Sequence, residues 1–175
     1  MFIAHLPAGY ILTKKLQKTS GVAKYLWVGL LGSILPDIDM LYFYLVDNKQ
    51  HLHHDYWIHT PFYWMLISLF TFLALRLLKK QKYYLVSLIF FANIFLHLFL
   101  DTLVGKINWL YPFSSKSFSF FEVPAIYDYW VYNFVFHWTF LIEVFVIVCA
   151  VLLFHQNRSS SVRSSLLDST TKNNP

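Results

Sequence analysis

The segment YYLVSLIFFANIFLHLFLDTLV, residues 83–104, decides the fold. It is almost wholly apolar and long enough, at about 1.5 Å per helical residue, to cross a hydrocarbon core of about 30 Å. Its single charged residue is Asp101, and His97 stands four positions earlier. On a helix that spacing puts the two side chains on one face, one turn apart. An imidazole and a carboxylate so placed can ligate one metal ion or form a plain hydrogen-bonded pair. An ionisable residue inside a membrane span is a functional candidate in its own right.

The composition agrees with a membrane protein. Of 175 residues, 57% are hydrophobic and 21% aromatic, while only 13% are charged, about half the usual soluble share of roughly 25%. The net charge of +5 could suggest nucleic acid, but the basic residues follow a membrane topology and form no groove-like patch. The one cysteine, Cys149, lies in an apolar run and has no intrachain partner. The start, MFIAHLPAGYILTKK, has no basic stretch ahead of its apolar part. It is expected to be retained rather than cleaved as a signal peptide.

Working outward, three further segments are long enough to span a bilayer: Tyr25 to about Val46, interrupted by Pro36-Asp37-Ile38-Asp39; Pro61 to Leu78; and about Phe134 to Phe154. A shorter apolar element, Phe2 to Leu16, is weakened by Pro7 and Gly9. The expected fold is an all-α polytopic membrane bundle of four spanning helices plus a short, partly inserted N-terminal helix. Residues 1–157 form its domain, and residues 158–175, rich in Ser, Thr and Asn, form a disordered cytoplasmic tail. Eleven of the fourteen Lys and Arg residues fall before the second element, at the turn between the third and fourth, or in the tail. The positive-inside rule therefore puts these regions and the C-terminus in the cytoplasm. The connections Asp47–Thr60 and Gly105–Asn133 then face the other side of a bacterial inner membrane.

On that map seven of the eight histidines gather at the outer face, although orientation was taken from Lys and Arg alone. Asp37 and Asp39 sit in the Pro-broken element. They either face water at a helix end or bind metal, and the apolar run from Met40 favours a break inside a span. Irregular backbone at that depth is tolerated where it lines a cavity. The loop HLHHDYWIHTPFYW, residues 51–64, holds four histidines in nine residues; the plain alternative is a histidine-rich surface loop. Thr60 reads as the N-cap of the next helix, with Pro61 at its first position. Thr102 is placed to hydrogen-bond a ligating carboxylate, and Trp109, Tyr111 and Phe113 read as an interfacial aromatic belt. Glu143, the deepest charge in the chain, is either an interhelical hydrogen-bonding group or a partner that orients a histidine.

In the order LPDID (35–39), HDYWIHT (54–60), HLFLD (97–101) and WLYPFS (109–114), with His5 and Gly9 ahead of them, these motifs resemble the YdjM-like family of inner-membrane metal-dependent hydrolases. The likeness covers residues 1 to about 145. It departs at Asp55, Tyr56 and Ile58, where Arg, Gly and Thr are usual, and the missing Arg removes a candidate phosphate contact. The resemblance implies a metal-dependent hydrolase, more distantly like the zinc-dependent phospholipase C and P1 nuclease class.

The function expected from these residues is hydrolysis of a phospholipid or other lipid-linked phosphoester by metal-activated water. The metal ligands would be His5, Asp37, Asp39, His54, His59, His97 and Asp101. His53, Asp55 and Glu143 would serve as base or supporting groups. Mixed His and Asp donors suit Zn²⁺, as one or two ions, with Mn²⁺ or Fe²⁺ as alternatives. The partner is membrane lipid, with no nucleic acid. The competing reading is a non-enzymatic membrane metal protein, either a transporter or a metal-stabilised bundle. A transporter would need polar residues along a path to both faces, and the inner halves of the spans are nearly free of them. A haem-binding bundle fits poorly with so many aspartates.

Overall fold

A computed structural model describes residues 3–21, 24–51 and 53–172, with the side chains of residue 53 and of residues 161–172 outside the description. Among the described residues the chain is all-α, with seven helices and no strand. They are α1 (His5–Ser20), α2 (Leu26–Ile34), α3 (Asp39–Leu45), α4 (Pro61–Leu77), α5 (Tyr84–Asp101), α6 (Trp130–Val135) and α7 (Phe140–Lys172). Short 3₁₀ turns at Pro36–Ile38, His53–Asp55, Trp57–His59 and Gln81–Tyr83 join several of them.

Of the four expected membrane-length spans, two to three are long and apolar enough by themselves among the described residues. Two helical stretches, Gln81–Asp101 and Phe140–Ser160, are long and apolar enough to cross a membrane. A third qualifies only if Leu26–Ile34 and Pro36–Leu45 count as one span, and that pair is bent by 51°. The bend follows from Pro36, which lacks an N–H and clashes with the preceding turn. α4 has 17 residues, about 25 Å of helix, and so falls short. The backbone of α7 continues as helix to Lys172, through most of the segment whose composition predicts disorder.

The bundle packs around α1, α2 and α5, which pair closely with one another. Their seam is made of small and polar residues. Gly9 meets Ser33 across α1 and α2, and Thr13 stands against Gly29. On α2, a Cβ at Gly32 would run into the backbone carbonyl of Phe90 on α5. Lipid tails are as apolar as Leu, so helices in a membrane gain from such close backbone approach more than from bulky side chains. Within the seam, Asn93 Nδ2 donates to Thr13 Oγ1 at 3.0 Å and to its own helix at the Ile89 carbonyl, 2.7 Å. Buried Thr13, Gln17 and Asn93 therefore put more polarity along α1 and α5 than the sequence reading allowed. An apolar cluster of Ile58, Trp64, Phe91, Ile94 and Leu98 closes the other side of α5 against α4.

Candidate metal centre

Asp101 ends α5, and its carboxylate is the hub of a buried cluster. One oxygen, Oδ1, lies 3.0 Å from His5 Nε2. The other, Oδ2, lies 2.9 Å from His97 Nε2, 3.6 Å from His59 Nε2 and 3.8 Å from His54 Nε2. Asp37, on the 3₁₀ turn that bends the α2–α3 pair, aims Oδ1 at His97 Nε2 (3.5 Å) and His59 Nε2 (3.8 Å). Each imidazole reaches the cluster from a different part of the chain. His97 sits one turn before Asp101. His5 opens α1 and stacks on the His97 ring at 3.9 Å between centroids, tilted by 20°. His59 closes the Trp57–His59 turn ahead of α4. His54 lies against Gly105, where a Cβ would collide with its ring.

The back of two rings fixes which nitrogen faces inward. His97 Nδ1 lies 2.8 Å from the Ser33 carbonyl. A carbonyl only accepts, so Nδ1 carries the proton and Nε2 is left to the cluster, where it is buried with no hydrogen-bond donor aimed at it. His59 Nδ1 lies 2.7 Å from Asp39 Oδ2, a carboxylate–histidine arrangement of the kind that orients metal ligands. Burial alone would push the His59 imidazole down in pKa, but the carboxylates of Asp101, Asp37 and Asp39 around it hold it well above its ordinary range.

Two sets of donor atoms converge within 4.8 Å of one another: His5, Asp37, His97 and Asp101, and His54, His59 and Asp101. A tetrahedral ion with bonds of about 2.0 Å needs donors about 3.3 Å apart, and the 2.9 to 3.8 Å separations of the named pairs bracket that value. An imidazole nitrogen turned inward and four histidines around two carboxylates fit a metal ion. The cluster is buried apart from Asp37, whose side chain is 38% exposed, and His54, at 16%. Access is therefore from the side of those two residues.

Six of the seven expected ligands are brought together. Asp39 stands one step back, holding His59 rather than facing the other donors. Asp55 is exposed and borders an open cleft. Glu143, in the first turn of α7, is buried and accepts the backbone N–H of Ile3 at 2.6 Å, two residues ahead of His5. The side chain of His53 lies outside the described residues. The expected Thr102–Asp101 hydrogen bond is corrected: Thr102 Oγ1 donates to the Leu98 carbonyl at 2.7 Å and accepts Trp109 Nε1–H at 2.8 Å. Trp109 thus pins the following loop to α5, while Phe113 remains 91% exposed. Two supporting groups escaped the sequence reading. The Ser33 carbonyl is backbone and leaves no residue-type signal. Gly105 has no side chain and so gives no ligand signal, though its place just after Asp101 sets it against the His54 ring.

The model of the YdjM inner membrane protein family matches residues 1–163. No curated protein matches the chain, and no solved structure does. With nearly its whole length matched, the chain belongs to the YdjM inner membrane protein family.

Proposed function

We propose that this member of an inner-membrane family is a hydrolase that uses one or two divalent transition-metal ions, Zn²⁺ foremost, to cleave a phosphoester of a phospholipid or other lipid-linked substrate. The observation that carries the reading is the sharing of Asp101 between two buried donor sets at the end of a membrane-length helix. His5, Asp37, His97 and Asp101 would hold one ion, and His54, His59 and Asp101 a second. Such an ion supplies Lewis acidity, polarising a phosphoryl oxygen and acidifying water at neutral pH. The chain's own residues do the positioning. Ser33 and Asp39 fix the tautomers of His97 and His59, and Glu143 secures the backbone that leads into His5. The accompanying topology has four crossings, the cluster towards the outer face and the C-terminus in the cytoplasm.

The test has two stages. Elemental analysis of detergent-purified protein should find about one or two transition-metal ions per chain, and His97→Ala and Asp101→Asn should each lower that content. Full retention in both variants removes the metal centre. The metal-loaded protein is then incubated with a phospholipid extract, and phosphate or head-group release is measured. Metal without release retires the enzyme and leaves a non-enzymatic membrane metal protein.

A further inference from the structure

Beside the metal centre, between α3 and the turns at residues 53–59, an open cleft of about 680 Å³ enters the molecule. Tyr42 and Tyr56 form two of its walls, their rings meeting edge to face at 5.4 Å and 89°, and Trp57 adds a third aromatic surface. Its acidic groups are Asp39, Asp47 and Asp55, and among the described residues no Lys or Arg lines it. Asp47 accepts the backbone N–H of His51 at 2.9 Å and lies 2.8 Å from His51 Nδ1. Asp55 makes no ion pair among the described residues. Asp39 is buried at the boundary with the metal centre. Its Oδ2 holds His59, while its Oδ1 has no hydrogen-bond partner.

Acidic residues by themselves make only a solvated surface. Here they are combined with three aromatic rings and with a buried acceptor that lacks a donor. Aromatic faces and carboxylates together recognise an alkylammonium group, whose charge is attracted by the ring faces. The same charges repel a phosphate or sulfate from this cleft. On α3, next to Tyr42, Leu41 and Leu45 are exposed, an apolar strip on which an acyl chain can lie. An occupant with a cationic head and an apolar tail is a zwitterionic phospholipid.

We propose that this cleft binds the ammonium head group of an ethanolamine- or choline-type phospholipid and so sets the substrate class of the site beside it. The cleft and the metal centre share Asp39, which lines the one and holds His59 of the other. The substrate role rests on the hydrolase reading, whereas head-group binding does not.

The full chain in detergent is titrated with dihexanoyl lipids carrying ethanolamine, choline or glycerol head groups. Trp57 reports binding, as the difference in emission between wild type and Trp57→Phe. The zwitterionic lipids should bind about tenfold more tightly than the glycerol lipid, the size of one good cation–π or charge contact. Asp55→Asn, an exposed change that leaves the fold intact, should erase most of that preference. Equal affinity for all three head groups overturns the proposal, as does an emission change as large in Trp57→Phe as in wild type. The same samples loaded with Zn²⁺ are assayed for head-group release. A zwitterionic preference without release from any lipid retires the hydrolase and leaves the cleft assignment standing. Release from all three with no binding preference does the reverse.

Discussion

Asp101 and Asp39 are both buried carboxylates that touch histidines, but they do different things. Asp101 offers its oxygens to four imidazole nitrogens at the centre of the cluster, whereas Asp39 stands behind a single ring. Asp101→Asn removes a donor common to both sets and should abolish metal retention through dialysis. Asp39→Asn leaves every donor in place and loosens only His59, so affinity should fall by about 10–100-fold. Chelator competition separates the two outcomes, and equal losses would mean that Asp39 is itself a donor. The His97–Asp101 pair was legible in the sequence because helical spacing alone puts both on one face. The roles of Asp37 and Asp39 were not legible, since they are equally acidic and two residues apart. Only the fold brings His59 Nδ1 to one and the inward-facing nitrogens to the other. Outside the membrane-spanning helices, His51 lowers Asp47 to about 2 through its ring and backbone N–H. Because the folded value lies below the ordinary carboxylate range of about 3.9, this pair supports the loop above that range and is lost as the pH falls through about 2. His51→Ala should return the Asp47 titration, followed by the carboxylate infrared band, towards the ordinary value.

Among the helices, the seam of α1, α2 and α5 brings the cluster together. His5, Asp37 and Asp101 come from separate elements and meet only because small residues let the backbones approach. Gly32 is the tightest point between α2 and α5, with the Phe90 carbonyl in the space a side chain would need. Gly32→Val should therefore cost about 1–3 kcal/mol of stability through overpacking and lower metal content, because the Ser33 carbonyl behind His97 moves with α2. Thermal unfolding in detergent with parallel elemental analysis checks both. A variant with wild-type melting and full metal would remove the seam from the account. The helical segments were largely readable from apolar runs, including the break at Pro36. Their lengths were less so, because an apolar run does not mark where the backbone bends or turns. Residue 78 looks as apolar as its neighbours, yet α4 ends at Leu77, and the helix after Lys80 restarts through a 3₁₀ turn.

For the molecule as a whole, the 17-residue α4 is placed in the membrane by its partner helix. Three observations bear on it. α4 and α5 pack together. They are joined by the short turn around residues 78–83. His59, two residues before α4, reaches to 3.6 Å from Asp101 at the far end of α5. The start of α4 is therefore level with the end of α5, and the two helices run the same depth in opposite directions. If α5 crosses the bilayer, α4 crosses with it, its shortfall of about 5 Å taken up by local thinning of the bilayer and by the turns at its ends. The basic residues agree, since Arg76, Lys79, Lys80 and Lys82 lie at one end of α4 and only Lys49 lies in the connection at the other. In a Cys149→Ser background, Lys49→Cys should react with a membrane-impermeant maleimide added outside intact cells or spheroplasts. Lys80→Cys should react only after permeabilisation. Labelling of both from the same side would make α4 a re-entrant element, reverse the assignment of one end of the bundle, and place the cluster at a depth that the α4–α5 hairpin does not account for.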